Sequence, residues 1–215
     1  PDSGEEIHVK EYMGARYDCE ILVENNVIAD LKGQYLDLSG TNRNLVYLYI
    51  SDGVGGSIIC NGQVIDGENS MAGKFAHILV ESGGRRCACG KRGHLESYVS
   101  KPAMEEAYFE ASGKRLELPE ICRLAGEGEK AAAAVLKDAI DKLAIGINQI
   151  LLVVNPGTLV LYGDLFESVD GILERLKQKT KELAFTEEIA DNCWMVRETK
   201  NVRIEDSIAR LSVER

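Results

Sequence analysis

The sequence predicts an α/β domain, and three observations carry that prediction. Leu45–Ile50 (LVYLYI) is a continuous apolar, β-rich run that reads as a buried strand. Thr158–Asp164 (TLVLYGD) is a second, and the stretch before it repeats Leu136, Ile140, Leu143, Ile147 and Ile150 at spacings of four, three, four and three, one apolar face of a helix. Between the first strand and that helix lies HILVESGGRRCACGKRGHLE, His77 to Glu96, which gathers metal-type ligands and glycines in one short segment.

Composition bounds the chain. Its 215 residues suffice for one large domain or two small lobes, and 45% hydrophobic with 28% charged residues is ordinary for a globular protein. A formal net charge of −10 repels phosphate backbones, so these residues are not expected to bind DNA by themselves. No apolar run approaches the ~20 residues of a membrane helix, and the opening PDSGEEIHVK has no apolar segment of the signal-peptide kind. Two of the six cysteines read as metal thiolates, which implies a reducing compartment and a cytoplasmic location.

The His77–Glu96 segment is read first as metal chemistry. His77, Cys87, Cys89 and His94 are nitrogen and sulfur donors suited to a closed tetrahedral zinc site. Gly83, Gly84, Gly90 and Gly93 let a short loop turn tightly enough to converge them. The spacing differs from the common zinc-finger pattern, so the competing reading, four unrelated residues, stays open on spacing alone.

With its upstream flank, the segment resembles the signature of the ROK family (repressors, open reading frames and sugar kinases). That signature reads approximately G-E-x-G-H, a gap, then C-x-C-G-x-x-G-C-x-E. Here the two parts are GKFAH (Gly73 to His77) and CACGKRGHLE (Cys87 to Glu96). The resemblance implies a structural zinc on His77, Cys87, Cys89 and His94, with His94 standing where the family has its third cysteine. It also implies an actin-like, ribonuclease H-like ATPase fold, here partial and carrying a zinc-binding segment.

Taken in order, the elements follow. Ile21–Val23 reads as a short strand leading through a turn into a helix that ends near Gln34. VENNVIA within it resembles the family run V-E-N-D-A-N-A, whose aspartate is the kinases' base. Asn26 takes that aspartate's place and Asn25 is kept, both implied sugar contacts; an amide cannot accept the proton. By itself the Glu24-Asn25-Asn26 run is a polar turn with an Asn cap. After Leu45–Ile50, Asn61-Gly62 between apolar runs predicts a type I′ hairpin, with Gly53, Gly55 and Gly56 at the preceding bend. The resemblance places nucleotide phosphates against this loop in kinases, yet Ser51 and Asp52 replace its glycine and threonine. A carboxylate there repels phosphate.

Lys74 replaces a glutamate that in the family accepts from sugar hydroxyls; lysine only donates. His77 and Glu96 keep the types the family uses near the sugar. Lys74 and Glu96 also read simply as solvated residues, the latter in a first helical turn. A helix is expected from Ser100 with Pro102 in its first turn, then a short helix and a long one ending at Asn155-Pro156-Gly157. In Thr158–Asp164, Tyr162 and Asp164 stand where the family's glycines admit the nucleotide. A long charged helix is expected over Phe166 to Ala184, a final strand over Trp194 to Thr199, and a closing helix in EDSIARLSVER.

The resemblance runs from about Ile21 to the C-terminus. The family domain begins with a D-x-G-G-T phosphate grip that this sequence lacks, so Pro1 is expected to fall inside the family's first lobe. Residues 1–44 are then a remnant of that small lobe and 45–215 the zinc-bearing large α/β lobe. The expected function is the effector-binding and dimerisation part of a sugar-responsive ROK repressor. It would be catalytically inactive, homodimeric, and joined to DNA only through a region outside this chain. An ATP-dependent sugar kinase and a zinc-stapled interaction module are the alternatives.

Overall fold

The computed structural model describes residues 8–19, 21, 43–190 and 193–197. Of the expected strand Ile21–Val23 only Ile21 is described, and it is in no strand; the rest of that strand with its following helix, the contacts Asn25 and Asn26, and the closing helix lie outside the described residues.

A five-stranded mixed sheet organises the rest. In order across the sheet the strands run β3-β2-β1-β4-β5. Strand β1 (Leu45–Ile50) lies at the centre, antiparallel to β2 (Val54–Cys60) and parallel to β4 (Thr158–Tyr162). Strand β3 (Gln63–Val64) closes the hairpin on β2, and β5 (Cys193–Arg197) runs parallel to β4. The predicted hairpin turn is present: Asn61 and Gly62 have φ of 53° and 83°, the left-handed pair a type I′ turn requires.

The apolar run of β1 is continuous because both faces of the sheet are covered. Val46, Leu48 and Ile50 face the main core with Leu159, Leu161 and Trp194. Leu45 and Tyr47 face the other side with Ile59, Val160 and Tyr162. A short helix α1 (Val9–Gly14) precedes the sheet and buries none of its residues.

The helices pack on the main-core face. Helix α2 (Glu96–Val99) is one turn; α3 (Lys101–Ser112) has Pro102 in its first turn, as predicted. After α4 (Leu118–Gly126) comes α5 (Lys130–Val154), the long helix. Its predicted stripe, Leu136, Ile140, Leu143, Ile147 and Ile150, is buried throughout. The Glu129 side chain caps its N-terminus, accepting from the Ala132 N–H at 2.7 Å, where a negative charge also meets the positive end of the helix dipole. Asn155 ends it in the left-handed conformation, φ 46°, with its N–H on the Leu151 carbonyl.

Four expectations are corrected. The strand Thr158–Asp164 stops at Tyr162, because Gly163 turns the chain at φ +113° and Asp164 opens a helix. A side chain on Gly163 would sit 2.2 Å from the Ile50 carbonyl oxygen, so only glycine lets this turn close onto the end of β1. The single helix Phe166–Ala184 is two: α6 (Asp164–Ser168) and α7 (Ile172–Leu183), parted at Gly171 in the left-handed region. Gly55 and Gly56 belong to β2 rather than to the bend before it. A one-turn helix α8 (Glu187–Ala190) leads to β5 (Cys193–Arg197), which begins one residue before the expected Trp194; Glu198 and Thr199 lie outside the described residues. No helix among the described residues is long and apolar enough to cross a membrane.

Candidate functional site

The segment between β3 and α2 is irregular, and backbone hydrogen bonds hold it. A 3-10 turn, Phe75–His77, places His77. The chain then forms a narrow ribbon in which Leu79 bridges His94 and Arg86 bridges Arg92. Gly93 stitches it: its carbonyl accepts from the Val80 N–H at 2.8 Å, and its N–H donates to the Arg85 carbonyl at 2.8 Å. At the tip the Cys87 N–H donates to the Lys91 carbonyl and the Gly90 N–H to the Cys87 carbonyl, both at 2.9 Å. A Cβ on Gly93 would lie 1.6 Å from the Glu81 carbonyl oxygen at a φ of +79°, so the crossing admits only glycine.

This ribbon brings together four of the residues singled out by sequence. One donor atom from each of His77, Cys87, Cys89 and His94 lies within 4.8 Å of all the others. Cys89 Sγ is 3.2 Å from His94 Nδ1, and Cys87 Sγ is 4.0 Å from His77 Nδ1. In a tetrahedral zinc site with Zn–S of about 2.3 Å and Zn–N of about 2.0 Å, neighbouring donors are roughly 3.3–3.8 Å apart. The four donors therefore need to draw in by about 1.5 Å at most, and the set fits such an ion. Cys87 is buried, His94 half-buried, His77 and Cys89 exposed. Burial pushes the Cys87 thiol up from its ordinary value, and the neighbouring Cys89 thiol adds to the rise. A bound divalent cation reverses that, since it stabilises the thiolate.

Of the residues expected to contact a sugar, Lys74 is exposed and immediately precedes the turn that carries His77. Glu96 is half-buried, and its Oε2 accepts from the Val54 N–H at 3.2 Å. Its carboxylate therefore sits against the β1–β2 turn, the same turn that holds Ser51, Asp52 and Gly53. Across that turn Ser51 Oγ donates to Asp164 Oδ2 at 2.5 Å, and the Lys101 N–H donates to the Ser51 carbonyl at 2.8 Å. The two loops that the sequence singled out separately, after β1 and after β4, are thus joined by one hydrogen bond. Tyr162 is buried, its ring 5.7 Å from that of Tyr47 and 5.3 Å from that of Tyr49.

Sequence reasoning missed the buttress behind the ribbon. Tyr98 is buried and its hydroxyl donates to Glu81 Oε2 at 2.6 Å while accepting from the Arg85 N–H at 2.7 Å. Lys142 reaches the same Glu81 oxygen at 3.2 Å, Arg85 pairs with Asp138 at 2.9 Å, and Gln149 Nε2 donates to the Leu79 carbonyl at 3.2 Å. Helix α5 thus grips the ribbon at three points. Tyr98 holds the Glu81 carboxyl below its ordinary value, with Lys142 second, while burial pushes the Tyr98 hydroxyl up. No motif carries these partners, since they pair across the fold. Elsewhere, a cavity of about 410 Å³ between α4 and the α6–α7 turn is lined by Leu136, Val169, Arg123 and Arg175. Cys122 also lines it, its thiol pushed up to about 11 by burial and so kept protonated.

The ROK family matches residues 1–203. The chain belongs to the ROK family. The match reaches further towards residue 1 than the motifs from Ile21 onward. Over 183 residues this ROK chain is 25% identical to the xylose repressor of Bacillus subtilis (strain 168), which covers 85% of this chain and 47% of that protein. Over 164 residues it is 30% identical to the N-acetyl-D-glucosamine kinase of Shigella boydii serotype 4 (strain Sb227), covering 71% and 54%. Its fold is similar to that of the ROK hexokinase from Thermus thermophilus, with a TM-score of 0.81 at 22% identity over 95% of this chain and 70% of that one. The actin-like sugar-kinase fold with a mixed sheet is therefore established. The ROK chain spans about half the length of the curated relatives it matches. Those relatives include both a repressor and a kinase, so membership alone does not choose between the two.

Proposed function

We propose that this chain is the effector-binding lobe of a sugar-responsive ROK regulator without kinase activity. The observation that carries the reading is the pair of carboxylates at the two turns where the resemblance puts nucleotide phosphates. Asp52 is exposed on the turn after β1, and Asp164 opens α6 after β4, held by Ser51. Both charges repel a polyphosphate. Asn26, in place of the proton-accepting aspartate, points the same way.

In this reading a sugar, or a metabolite derived from one, binds near Asn25, Asn26, Lys74, His77 and Glu96. Glu96 accepts from its hydroxyls, and Lys74 donates. His77, Cys87, Cys89 and His94 hold a zinc ion, which supplies a crosslink between the Phe75–His77 turn and the ribbon. The effector acts by favouring one arrangement of a homodimer whose DNA-binding part lies outside this chain. Residues 1–44 then contribute to a first lobe and 45–215 form the second.

The kinase relative at 30% identity favours a second reading, an ATP-dependent sugar kinase. Calorimetry with hexoses, pentoses and N-acetylhexosamines, run beside a coupled ATP-turnover assay on the same sugars, separates them. Sugar binding with no turnover is the expected result. Turnover on any of these sugars sinks the regulator reading, and no binding to any of them favours a zinc-stapled interaction module.

A further inference from the structure

The ribbon that carries the metal donors is cationic in an acidic protein. Between Ser82 and Leu95 the sequence holds Arg85, Arg86, Lys91 and Arg92 and no carboxylate, while the whole chain has a net charge of −10. Arg85 is committed inward, paired with Asp138 at 2.9 Å and lying 4.9 Å over the Tyr98 ring. The other three are exposed. Arg86 and Arg92 stand directly opposite each other on the ribbon, an arrangement of like charges that disfavours the pairing unless an anion lies between or beside them. Arg92 steadies itself on the Gly84 carbonyl at 3.1 Å. Arg86 and Lys91 form no ion pair among the described residues. Two thiolates on a divalent cation leave no net charge to offset these three.

An apolar contact adjoins them. Leu79 is 53% exposed, and its Cδ1 lies 3.1 Å from where a Cβ on Gly93 would stand, so its side chain covers the residue next to Arg92. Exposed arginine beside exposed leucine on a backbone held by hydrogen bonds is the chemistry of a protein-docking edge. We propose that Arg86, Lys91 and Arg92, with Leu79 beside them, dock a short acidic peptide segment of a partner protein. A duplex polyanion fits less well. It extends past the ribbon by more than a Debye length of about 8 Å and meets the acidic remainder of the chain. A short acidic segment spans little beyond the ribbon, although Glu106 and Glu110 of α3 line a cavity with Arg86 and offset part of its charge.

The test is fluorescence anisotropy on the full 215-residue chain. The probe is a fluorescein-labelled peptide of glutamates and aspartates around a central leucine. Saturable binding that weakens with added salt is expected. The double variant R86A/K91A should weaken it about tenfold, as two partly exposed charge pairs imply. Metal content by elemental analysis stays at the parent level in that variant, because neither residue is a donor. A control double variant on other exposed lysines, K114A/K130A, binds as the parent does. Absence of binding to the parent chain, or equal weakening in the control, overturns the proposal. So does tighter binding of a DNA duplex or of phosphatidylserine vesicles that R86A/K91A abolishes, which makes the partner a nucleic acid or a membrane. Sedimentation in which R86A/K91A dissociates an assembly of the chain overturns it in favour of a second copy.

Discussion

The ribbon with its four donors and the pair of turns at the ends of β1 and β4 solve the same problem differently. Each brings side chains from separate stretches to one place. The ribbon does so with backbone hydrogen bonds, a glycine crossing and three grips from α5. The turns are joined side chain to side chain by a single bond, Ser51 to Asp164, with Gly163 closing on Ile50 beneath it. A region fixed by many backbone contacts is built to stay in place. A region joined through one hydroxyl can rearrange when a ligand competes for that carboxylate. The difference assigns rigidity to the ribbon and adjustability to the turns.

The largest expected effect breaks the rigid side. Gly93→Ala drives a side chain into the Glu81 carbonyl in a left-handed backbone conformation. It should cost about 3 kcal/mol or more in urea unfolding and abolish stoichiometric metal binding. A cost below about 1 kcal/mol would mean the ribbon yields, and the contrast with the turns would weaken.

Metal removal comes next. A chelator should lower the melting temperature by about 5–10 °C, on the order of 2–3 kcal/mol for a chain of this size, with recovery on adding zinc. His94→Cys should keep the metal, since cysteine is an equally good donor at that position. An unchanged melting curve after verified metal removal would show that the hydrogen bonds alone hold the ribbon.

Tyr98→Phe isolates the grip behind it. The Arg85 N–H loses its acceptor, at about 1–2 kcal/mol. A pH signature accompanies the loss. Glu81 sits below its ordinary value in the fold, chiefly through the Tyr98 hydroxyl, so the charged form stabilises the native state. That contribution is present above the unfolded value of about 4.3 and fades as pH falls through the lower native one. Melting at descending pH should show a shallower acid loss in Tyr98→Phe than in the parent. Parallel curves would assign Glu81 to Lys142 alone.

How far the sequence could be read differs between the same two regions. The four donors were legible because histidine and cysteine are rare and their chemistry is specific, and the glycines beside them announced a tight loop. Leu45–Ile50, the Asn61-Gly62 turn and the stripe on α5 were legible through periodicity and turn chemistry. Glu81, Tyr98 and Lys142 were not, since an ordinary glutamate, tyrosine and lysine acquire a role only when the ribbon folds against α5. The break in Phe166–Ala184 was missed because charged helical composition continues across it; the first helix ends at Ser168, and Gly171 in the left-handed conformation starts the second. Asp52 and Asp164 were legible as departures from a family pattern, but the Ser51 bond that ties the two turns together was not.

Ser51→Ala is the smallest perturbation and the sharpest for the adjustable side. It removes one hydroxyl from a half-buried carboxylate and leaves the backbone unchanged, so about 1 kcal/mol of stability should be lost. Metal content should not change, because nothing in the ribbon depends on Ser51. Sugar affinity by calorimetry should shift, because Glu96 leans on the same turn through Val54. A stability loss as large as that of Gly93→Ala, together with lost metal, would make the turns and the ribbon one cooperative unit. A loss near 1 kcal/mol with altered sugar affinity alone would keep them apart, with the turn able to move while the ribbon stays fixed.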